Sequence, residues 1–224
     1  MAMNAIMSDK EFMFVHLLQM SVLKNGVIGI NNMKGHQIAG TSVTRKRVEN
    51  DFYATPSEST KAILDKEKLF GSILEPACGN GAISKEIIEK YPQIELYSCD
   101  LIDRGYGLPR NSDFFKSEMT QNSVDIVITN PPFSLFQEFA EKALEIVRDR
   151  VILFGKLQAL EGQKRATFLQ NSPLRTVYVF KARQNPLRNG SAVDENGKPW
   201  ANTMAFAWFV WEIGYTGKPT IEWL

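Results

Sequence analysis

The residues best suited to chemistry form the run Asn130-Pro131-Pro132-Phe133, which directly follows the apolar segment Val124–Thr129. A strand of β-branched residues rarely ends this way, because proline cannot extend a hydrogen-bonded ladder and restricts the residue before it. We expect this corner at the carboxyl edge of an α/β sheet, where ligands bind. An unpaired amide and a free carbonyl beside an aromatic face suit a planar group that bears an NH2. The alternative is a strand-end turn with Phe133 in the core.

A second candidate site is a glycine turn between a strand and a helix. The segment Ser72–Glu75 predicts a short buried strand, and Ala82–Lys90 predicts a helix with isoleucines on one face. Pro76-Ala77-Cys78-Gly79-Asn80-Gly81 lies between them. Glycines let the backbone turn tightly and let a ligand approach it closely.

Acidic residues follow at spacings that suit a nucleoside. Asp100 ends the predicted strand Glu95–Cys99, about 20 residues past the glycine turn, where a carboxylate accepts hydrogen bonds from a ribose. A strand-end carboxylate in solvent is the alternative. Asp113 and Phe114 lie further along, and by position they suit an adenine, through its amine and by stacking or edge contact.

Two basic stretches are candidates for phosphate contacts. Arg45-Lys46-Arg47 is the densest cluster of positive charge, and a solvated turn is its alternative explanation. The loop 181–202 carries Arg183 and Arg188, and a loop of that length inside a compact domain is usually functional or disordered.

The composition is that of one globular α/β domain with extensions. The chain has 224 residues, 44% hydrophobic and 23% charged, and a net charge of +1 that neither indicates nor excludes a polyanionic partner. Cys78 and Cys99 lie in apolar contexts without metal-ligand spacing, so we expect reduced core thiols of a cytoplasmic protein. No run reaches the ~18 apolar residues of a membrane span, and we expect no signal peptide.

The remaining elements continue the α/β alternation. Thr55 is a plausible helix N-cap with Pro56 at the first helical position, for a helix ending near Lys68. Residues 103–123 leave little room for a full helix and strand. Further helices and strands are predicted at Leu135–Val147, Val151–Phe154, Ala159–Gln170, Thr176–Phe180 and Met204–Trp211. The last residues, 221–224, either add an edge strand or simply pack.

These motifs, in this order, resemble the S-adenosylmethionine-dependent amino-methyltransferases, and most of all the adenine-N6 DNA methyltransferases, from about Asp51 to Trp211. The resemblance implies a Rossmann-like class I fold, with helices on both faces of a mostly parallel seven-stranded sheet whose last hairpin is reversed. The methyltransferase domain would span 44–224, after an N-terminal extension, 1–43, that is partly helical or disordered. Phe133 replaces the tyrosine that is frequent in this class, and there is no room for a sizeable target-recognition domain.

The resemblance also implies residue roles. The Asn130 oxygen and the Pro131 carbonyl would accept hydrogen bonds from the substrate amine, beside Pro132, and Phe133 would stack on an extruded base. Asp100 would bind the ribose of the cofactor S-adenosylmethionine, and Asp113 and Phe114 its adenine. Its methionine part would contact a set from two segments: Tyr53, Thr55, Pro56, Glu75, Pro76, Ala77, Gly79 and Gly81.

The acceptor stays open at this point. The resemblance favours DNA adenine, with an RNA base or a protein glutamine as alternatives, because the corner recognises a planar NH2 and not adenine as such. A methyltransferase-like nucleic-acid-binding subunit is the non-enzymatic alternative. The implied chemistry requires no metal, the implied partner is DNA or RNA, and sequence specificity could come from a partner protein.

Overall fold

A computed structural model of the protein describes residues 52–188, 191, 197 and 204–224. The predicted extension, 1–43, the basic cluster at 45–47 and most of 189–203 lie outside the described residues. The strands are β1 (Tyr53–Ala54), β2 (Ser72–Glu75), β3 (Glu95–Ser98), β4 (Val124–Thr129), β5 (Val147–Lys156), β6 (Leu174–Val179), β7 (Leu187–Arg188), β8 (Phe206–Glu212) and β9 (Thr220–Trp223). The helices are α1 (Ser57–Lys66), α2 (Ala82–Lys90), α3 (Phe136–Ile146) and α4 (Gln163–Asn171).

The main sheet has seven strands in the order β3-β2-β4-β5-β8-β6-β9. Strands β3, β2, β4 and β5 are parallel, and β8 runs antiparallel between β5 and β6. The predicted fold is therefore confirmed, including the reversal of the last hairpin. All the carboxyl ends of the four parallel strands meet at one edge, which is where the sequence places its candidate site.

The seventh strand comes from the C-terminus. Residues 103–123 form no strand; a single parallel bridge between Asp100 and Arg110 lies beside the end of β3. At the opposite edge β9 pairs in parallel with β6, so the final residues do add an edge strand. Its Ile221 and Trp223 side chains remain exposed.

The central strands are buried on both faces, and two apolar clusters form the core. On one face Ile63 of α1 and Ile83 of α2 pack with Ile126 and Trp208, and on the other Phe139 of α3 packs with the cluster that contains Val127 and Phe209. Neighbouring residues of β4 and β8 thus alternate between the two clusters, as the two-residue period of a strand requires. Continuous apolar runs in these strands follow from that double burial.

Two helix predictions were wrong in detail. Pro56, not Thr55, is the N-cap of α1, with no capping side chain, and the helix ends at Lys66. The segment predicted as one helix over Ala159–Gln170 divides into a 3₁₀ turn, Leu157–Leu160, and α4. Gly162, with φ of 111°, separates them because this conformation excludes a continuous helix.

A small two-stranded ribbon joins distant parts of the chain. In it β1 pairs antiparallel with β7, with Tyr53 opposite Arg188 and Ala54 opposite Leu187. The side chain of Ser59, in the first turn of α1, also bonds Gln184 at 2.5 Å. The start of the 181–202 loop is thereby fixed to the segment that precedes α1.

A buried carboxylate links α1 to the sheet. Glu67 is 2% exposed and accepts hydrogen bonds from Arg150 Nη1 at 2.7 Å and from the Tyr178 hydroxyl at 2.7 Å. Arg175 Nη2 donates to Glu67 Oε1, the same oxygen that accepts the Tyr178 hydroxyl. Two guanidinium groups and a hydroxyl therefore compensate the desolvation of this charge.

We predict that Glu67→Gln lowers the free energy of unfolding by about 2 kcal/mol, because it removes the buried carboxylate charge that Arg150 and Arg175 share. The loss is limited because Arg150 keeps Asp149 at 2.5 Å and Arg175 keeps Glu212 at 2.9 Å. Urea denaturation measures the change. Glu222→Gln is the control, since the Glu222–Lys66 pair is exposed, with side-chain accessibilities of 47% and 44%, and should contribute less than about 1 kcal/mol. Equal losses in the two variants would contradict the assignment.

Candidate active site

The corner after β4 has the geometry that its prolines dictate. Strand β4 ends at Thr129, and Asn130 and Pro131 lead into a 3₁₀ turn, Phe133–Leu135, whose Leu135 N–H donates to the Pro132 carbonyl at 2.8 Å. Pro131 is buried, Pro132 is exposed, and α3 starts directly after the turn. The corner is thus a short connection held between two core elements.

The side-chain amide of Asn130 is fixed in one orientation. Its Nδ2 donates to the Tyr53 carbonyl at 2.7 Å and to the Thr55 hydroxyl at 3.0 Å. Since a backbone carbonyl can only accept, the NH2 must face Tyr53 and the oxygen must face away. Among the described residues, Asn130 Oδ1 has no hydrogen-bond partner. The half-buried amide thus presents an acceptor at the carboxyl edge of the sheet.

Phe133 is half-buried beside that amide. Its ring centroid lies 5.9 Å from that of Tyr53 and 5.6 Å from that of Phe206. The Lys156 Nζ lies over the ring, 4.8 Å from the centroid. Sequence reasoning found Phe133 and Tyr53 but missed Lys156, because nothing in the sequence shows that the end of β5 reaches this ring.

The glycine turn and the strand-end acid are in direct contact. The Asp100 carboxylate accepts the Gly79 N–H at 2.8 Å through Oδ2 and the Ile102 N–H at 2.8 Å through Oδ1. Gly79 and Gly81 have φ of 55° and 79°, which residues with a side chain rarely adopt. Each carboxylate oxygen keeps a further lone pair that can accept a hydrogen bond from a hydroxyl group.

Aromatic rings cover both glycines. A Cβ on Gly79 would lie 3.2 Å from the Phe52 ring, and one on Gly81 would lie 2.5 Å from the Tyr106 ring. Arg104 lies 4.3 Å from the centroid of Phe52. Sequence reasoning missed this cover, because Phe52 and Tyr106 are distant in the chain from the glycines that they contact.

The Asp113-Phe114 pair is tied to Asp100 but presents little ring surface. Ser112, directly before Asp113, donates its N–H to the Asp100 carbonyl at 2.8 Å. The Asp113 side chain accepts a hydrogen bond from the Phe115 N–H at 3.1 Å. Phe114 is 3% exposed and packs against Phe139 at 5.3 Å, so its ring belongs to the core.

Two polar atoms in this region suit a polar ligand. Asn80 Oδ1, in the glycine turn, and Ser112 Oγ, between the two acids, are buried and lack a hydrogen-bond partner among the described residues. Buried polar groups are nearly always hydrogen-bonded, so atoms like these mark positions that a ligand can satisfy. Together with the Asp100 carboxylate, they fit a nucleoside-bearing cofactor.

Glu75 faces the interior. It is 1% exposed, and its Oε2 accepts the Ser84 N–H at 3.0 Å and the Ser84 hydroxyl, which also lies 2.5 Å from the Ser98 hydroxyl. Burial raises the pKa of Glu75 from 4.5 to about 8, against the Ser84 hydrogen bonds, which lower it. The carboxyl therefore joins β2 to α2 beneath the glycine turn.

The other predicted site residues lie outside the corner. Pro56 caps α1, Pro76 is buried, and the Ala77 carbonyl accepts the Thr129 hydroxyl at 3.5 Å. Arg183 is exposed at the start of the loop. The Arg188 side chain lies outside the described atoms, as do Arg45, Lys46 and Arg47.

Metal and membrane features are absent from the part of the chain that the structure describes. None of its clusters of His, Cys, Asp and Glu side chains could hold a metal ion. None of its helices combines the length and apolarity that a membrane crossing needs. Cys78 and Cys99 are both free and buried.

The sequence matches a model of a known protein family. A sequence model of the family described as adenine-specific methyltransferase EcoRI matches residues 79–213, more than half of the 224-residue chain. A search of curated protein sequences found no match.

Solved structures share the fold. A modification subunit, described as that of a type I restriction enzyme from Vibrio vulnificus, has a TM-score of 0.51 and 14% identity over 77% of this chain. This chain covers 46% of that subunit. A protein described as an RNA methyltransferase from Pyrococcus horikoshii has a TM-score of 0.55 and 15% identity, over 77% of this chain and 92% of that one.

The raised pKa of Glu75 predicts a pH-dependent stability. Because the folded pKa of about 8 exceeds 4.5, the native state keeps a proton that the unfolded chain releases between those values. The stabilisation is complete below pH 4.5 and is lost as the pH rises to about 8, with a slope of up to about 1.4 kcal/mol per unit.

Glu75→Gln, which cannot ionise, should flatten this profile in urea denaturation between pH 5 and 8. Glu89→Gln, at an exposed position of the same helix-and-turn unit, is the control and should keep the wild-type slope. A wild-type profile without this decline would show that Glu75 is ionised in the native state.

Proposed function

The chain belongs to the EcoRI family of adenine-specific methyltransferases, and on that premise we propose that it transfers a methyl group from S-adenosylmethionine to N6 of adenine in DNA. The acceptor, the recognition of DNA and the roles of individual residues are parts of this proposal. The observation that carries it is the fixed amide of Asn130, whose oxygen faces away from Tyr53 and Thr55.

The fixed amide suits an amine substrate. An exocyclic amine on a purine is a poor nucleophile, because its lone pair is delocalised into the ring. Acceptance of its N–H groups by Asn130 Oδ1 and the Pro131 carbonyl would favour tetrahedral geometry at nitrogen. These acceptors would also stabilise the positive charge that grows on nitrogen as the N–C bond forms and the methyl–sulfur bond breaks with its electron pair staying on sulfur, before a proton leaves the nitrogen to solvent.

The cofactor would be held at the neighbouring part of the same edge. Asp100 would accept the ribose hydroxyls, Ser112 and Asp113 would face the adenine, and the turn around Gly79 would lie along the methionine part. When bound, S-adenosylmethionine supplies a methyl group on a positively charged sulfur. Fixing this group in line with the amine is a proximity effect of the kind that contributes much of an enzyme's rate enhancement.

The target base must leave the duplex to reach this corner. Phe133 offers a half-buried aromatic ring beside the amide, on which an extruded base would stack. The loop that follows β6 carries Arg183 and is joined to Tyr53 through the β1–β7 ribbon, so it is a candidate for DNA contact. We also propose that sequence specificity depends on this loop or on a separate specificity partner.

The proposal is tested with radiolabelled S-adenosylmethionine and duplex DNA, RNA or protein as acceptor, followed by nucleoside analysis. We expect label in N6-methyladenine from DNA. Label in RNA or protein alone would overturn the DNA assignment.

Asn130→Ala should reduce methyl transfer at least about 100-fold, since it removes an acceptor for the developing charge. Calorimetric binding of S-adenosylhomocysteine should change less than about twofold, and undiminished methylation would contradict the role of Asn130.

Thr55 tests the positioning of that amide. Thr55→Val keeps the shape of a 4% exposed side chain but removes one of the two acceptors that hold Nδ2. We predict a fall in kcat of about tenfold, the size expected for one hydrogen bond, with little change in KM or Tm. Thr55→Ser restores the hydroxyl and should recover most of the rate; failure of that rescue would point to packing rather than positioning.

A further inference from the structure

Strand β9 forms an exposed edge of the main sheet. It pairs with one neighbour, β6, and all four of its residues are exposed. The side chains of Ile221 and Trp223 lie at this edge, and the two residues are 56% and 58% accessible. Edge strands of natural proteins are commonly protected by charges, bulges or covering segments, because a bare edge pairs with further strands. Large apolar side chains offer no such protection, so this edge suits a partner strand.

The backbone of β9 presents outward hydrogen-bonding groups at the same edge. Leu224, which directly follows the strand, donates its N–H to the Val179 carbonyl at 3.0 Å and thus faces β6. Alternate residues of a parallel strand bond to the same neighbour, so Glu222 also faces β6. The N–H and C=O groups of Ile221 and Trp223 therefore point away from β6, and among the described residues they have no strand partner.

The two faces of β9 differ in character. The Glu222 side chain pairs with a lysine of α1 at 3.4 Å, so the even-numbered side chains share the α1 face. Ile221 and Trp223 lie on the other face. Lys218 and Pro219 directly precede the strand and are exposed, and the same alternation adds a cation to the α1 face and an apolar ring to the other. One face of the edge is thus polar, with charges of both signs, and the other is apolar.

We propose that two copies of this chain pair antiparallel along β9, about a two-fold axis at Ile221. The two Ile221 residues then lie opposite each other and exchange both backbone hydrogen bonds. The Trp223 N–H of each copy donates to the Pro219 carbonyl of the other. Because proline has no N–H, the ladder ends at this pair. The result is one continuous sheet that spans both copies.

This register makes both faces of the edge self-complementary. On the apolar face, Trp223 of each copy packs on Pro219 of the other, on either side of the central isoleucine pair. On the polar face, Glu222 lies opposite Thr220 and diagonal to Lys218 of the other copy. The charges of the two copies are thus matched, and apolar side chains that are exposed in one copy are covered by the other.

Other positions of the axis are less favourable. An axis at Glu222 would place the two Glu222 carboxylates directly opposite each other, in the closer type of antiparallel pair, whose Cα atoms are about 4.5 Å apart. Like charges in such a pair destabilise a sheet. An axis between Ile221 and Glu222 would set outward backbone groups against groups already bonded to β6, which forms no ladder. Charge and backbone pattern therefore select the axis at Ile221.

The pairing leaves each copy with its own candidate active site. Strand β9 is parallel to β6, and β6 has the direction of β5, because β8 runs antiparallel between them. An antiparallel partner therefore turns its carboxyl edge to the opposite side of the joined sheet. The two sites face away from each other, and the dimer forms whatever the acceptor of the methyl group is.

Sedimentation velocity of the full chain, from about 1 to about 200 μM, tests the dimer. The short strand makes a small interface, so we expect reversible association with a dissociation constant in the micromolar range. Ile221→Lys puts two like charges at the axis and should remain monomeric throughout. Ile213→Lys, at an isoleucine outside β9 that is 43% accessible, is the control and should dimerise as the wild type does. A monomeric wild type, or equal association of the two variants, would overturn the proposal.

A charge reversal tests the complementarity of the polar face. Lys218→Glu opposes Glu222 in both halves of the interface and should weaken the dimer about tenfold, and adding Glu222→Lys should restore it. Failure of that rescue would assign the association to another surface.

Cysteine cross-linking tests the register. The Cα atoms of the two Ile221 residues would lie about 5.5 Å apart, within the range of a disulfide. Those of the two Glu222 residues, which are diagonal, would lie about 7–8 Å apart, beyond that range. Mild oxidation should therefore give a covalent dimer of Ile221→Cys and leave Glu222→Cys uncross-linked, with the wild type, whose Cys78 and Cys99 are buried, as the background. Preferential or equal cross-linking of Glu222→Cys, or none in either variant, would contradict pairing about Ile221.

Discussion

The donation of two hydrogen bonds by the Asn130 amide, to the Tyr53 carbonyl and the Thr55 hydroxyl, is the interaction on which the candidate site depends. An amide side chain is close to symmetric in shape, and its two ends differ only in whether they donate or accept. A backbone carbonyl at one end removes that ambiguity. The proline corner holds the backbone at Asn130, and the contacts with Tyr53 and Thr55 leave the amide oxygen facing away from them.

The same short segment joins the 181–202 loop to the candidate active site. The strand that supplies the Tyr53 carbonyl is also the strand that pairs with β7, where the 181–202 loop begins. A loop that contacts the substrate would therefore act on the same short segment that orients Asn130. The main sheet contributes rigidity, because β4 and β5 are buried on both faces and hold Asn130 and Lys156 at neighbouring strand ends.

The sequence predicted the parts of this site whose determinants are local. The β4 run and the two prolines specify the corner, and the glycine turn follows directly from its strand and helix, so both agree with the structure. Thr55 was misassigned as a helix cap because its actual partner lies 75 positions away. The Tyr106 cover on Gly81 and the position of Lys156 over Phe133 likewise depend on contacts between distant segments, which spacing and periodicity do not reveal.

The rate of methyl transfer by Asn130→Asp at neutral pH tests whether the orientation of the Asn130 amide matters. Aspartate has the shape of asparagine and is a stronger acceptor, but its carboxylate cannot donate to the Tyr53 carbonyl. We expect a loss of at least about 100-fold in rate, with binding of S-adenosylhomocysteine retained. Wild-type activity in Asn130→Asp would show that acceptance alone suffices and that the orientation of the amide by Tyr53 and Thr55 does not matter.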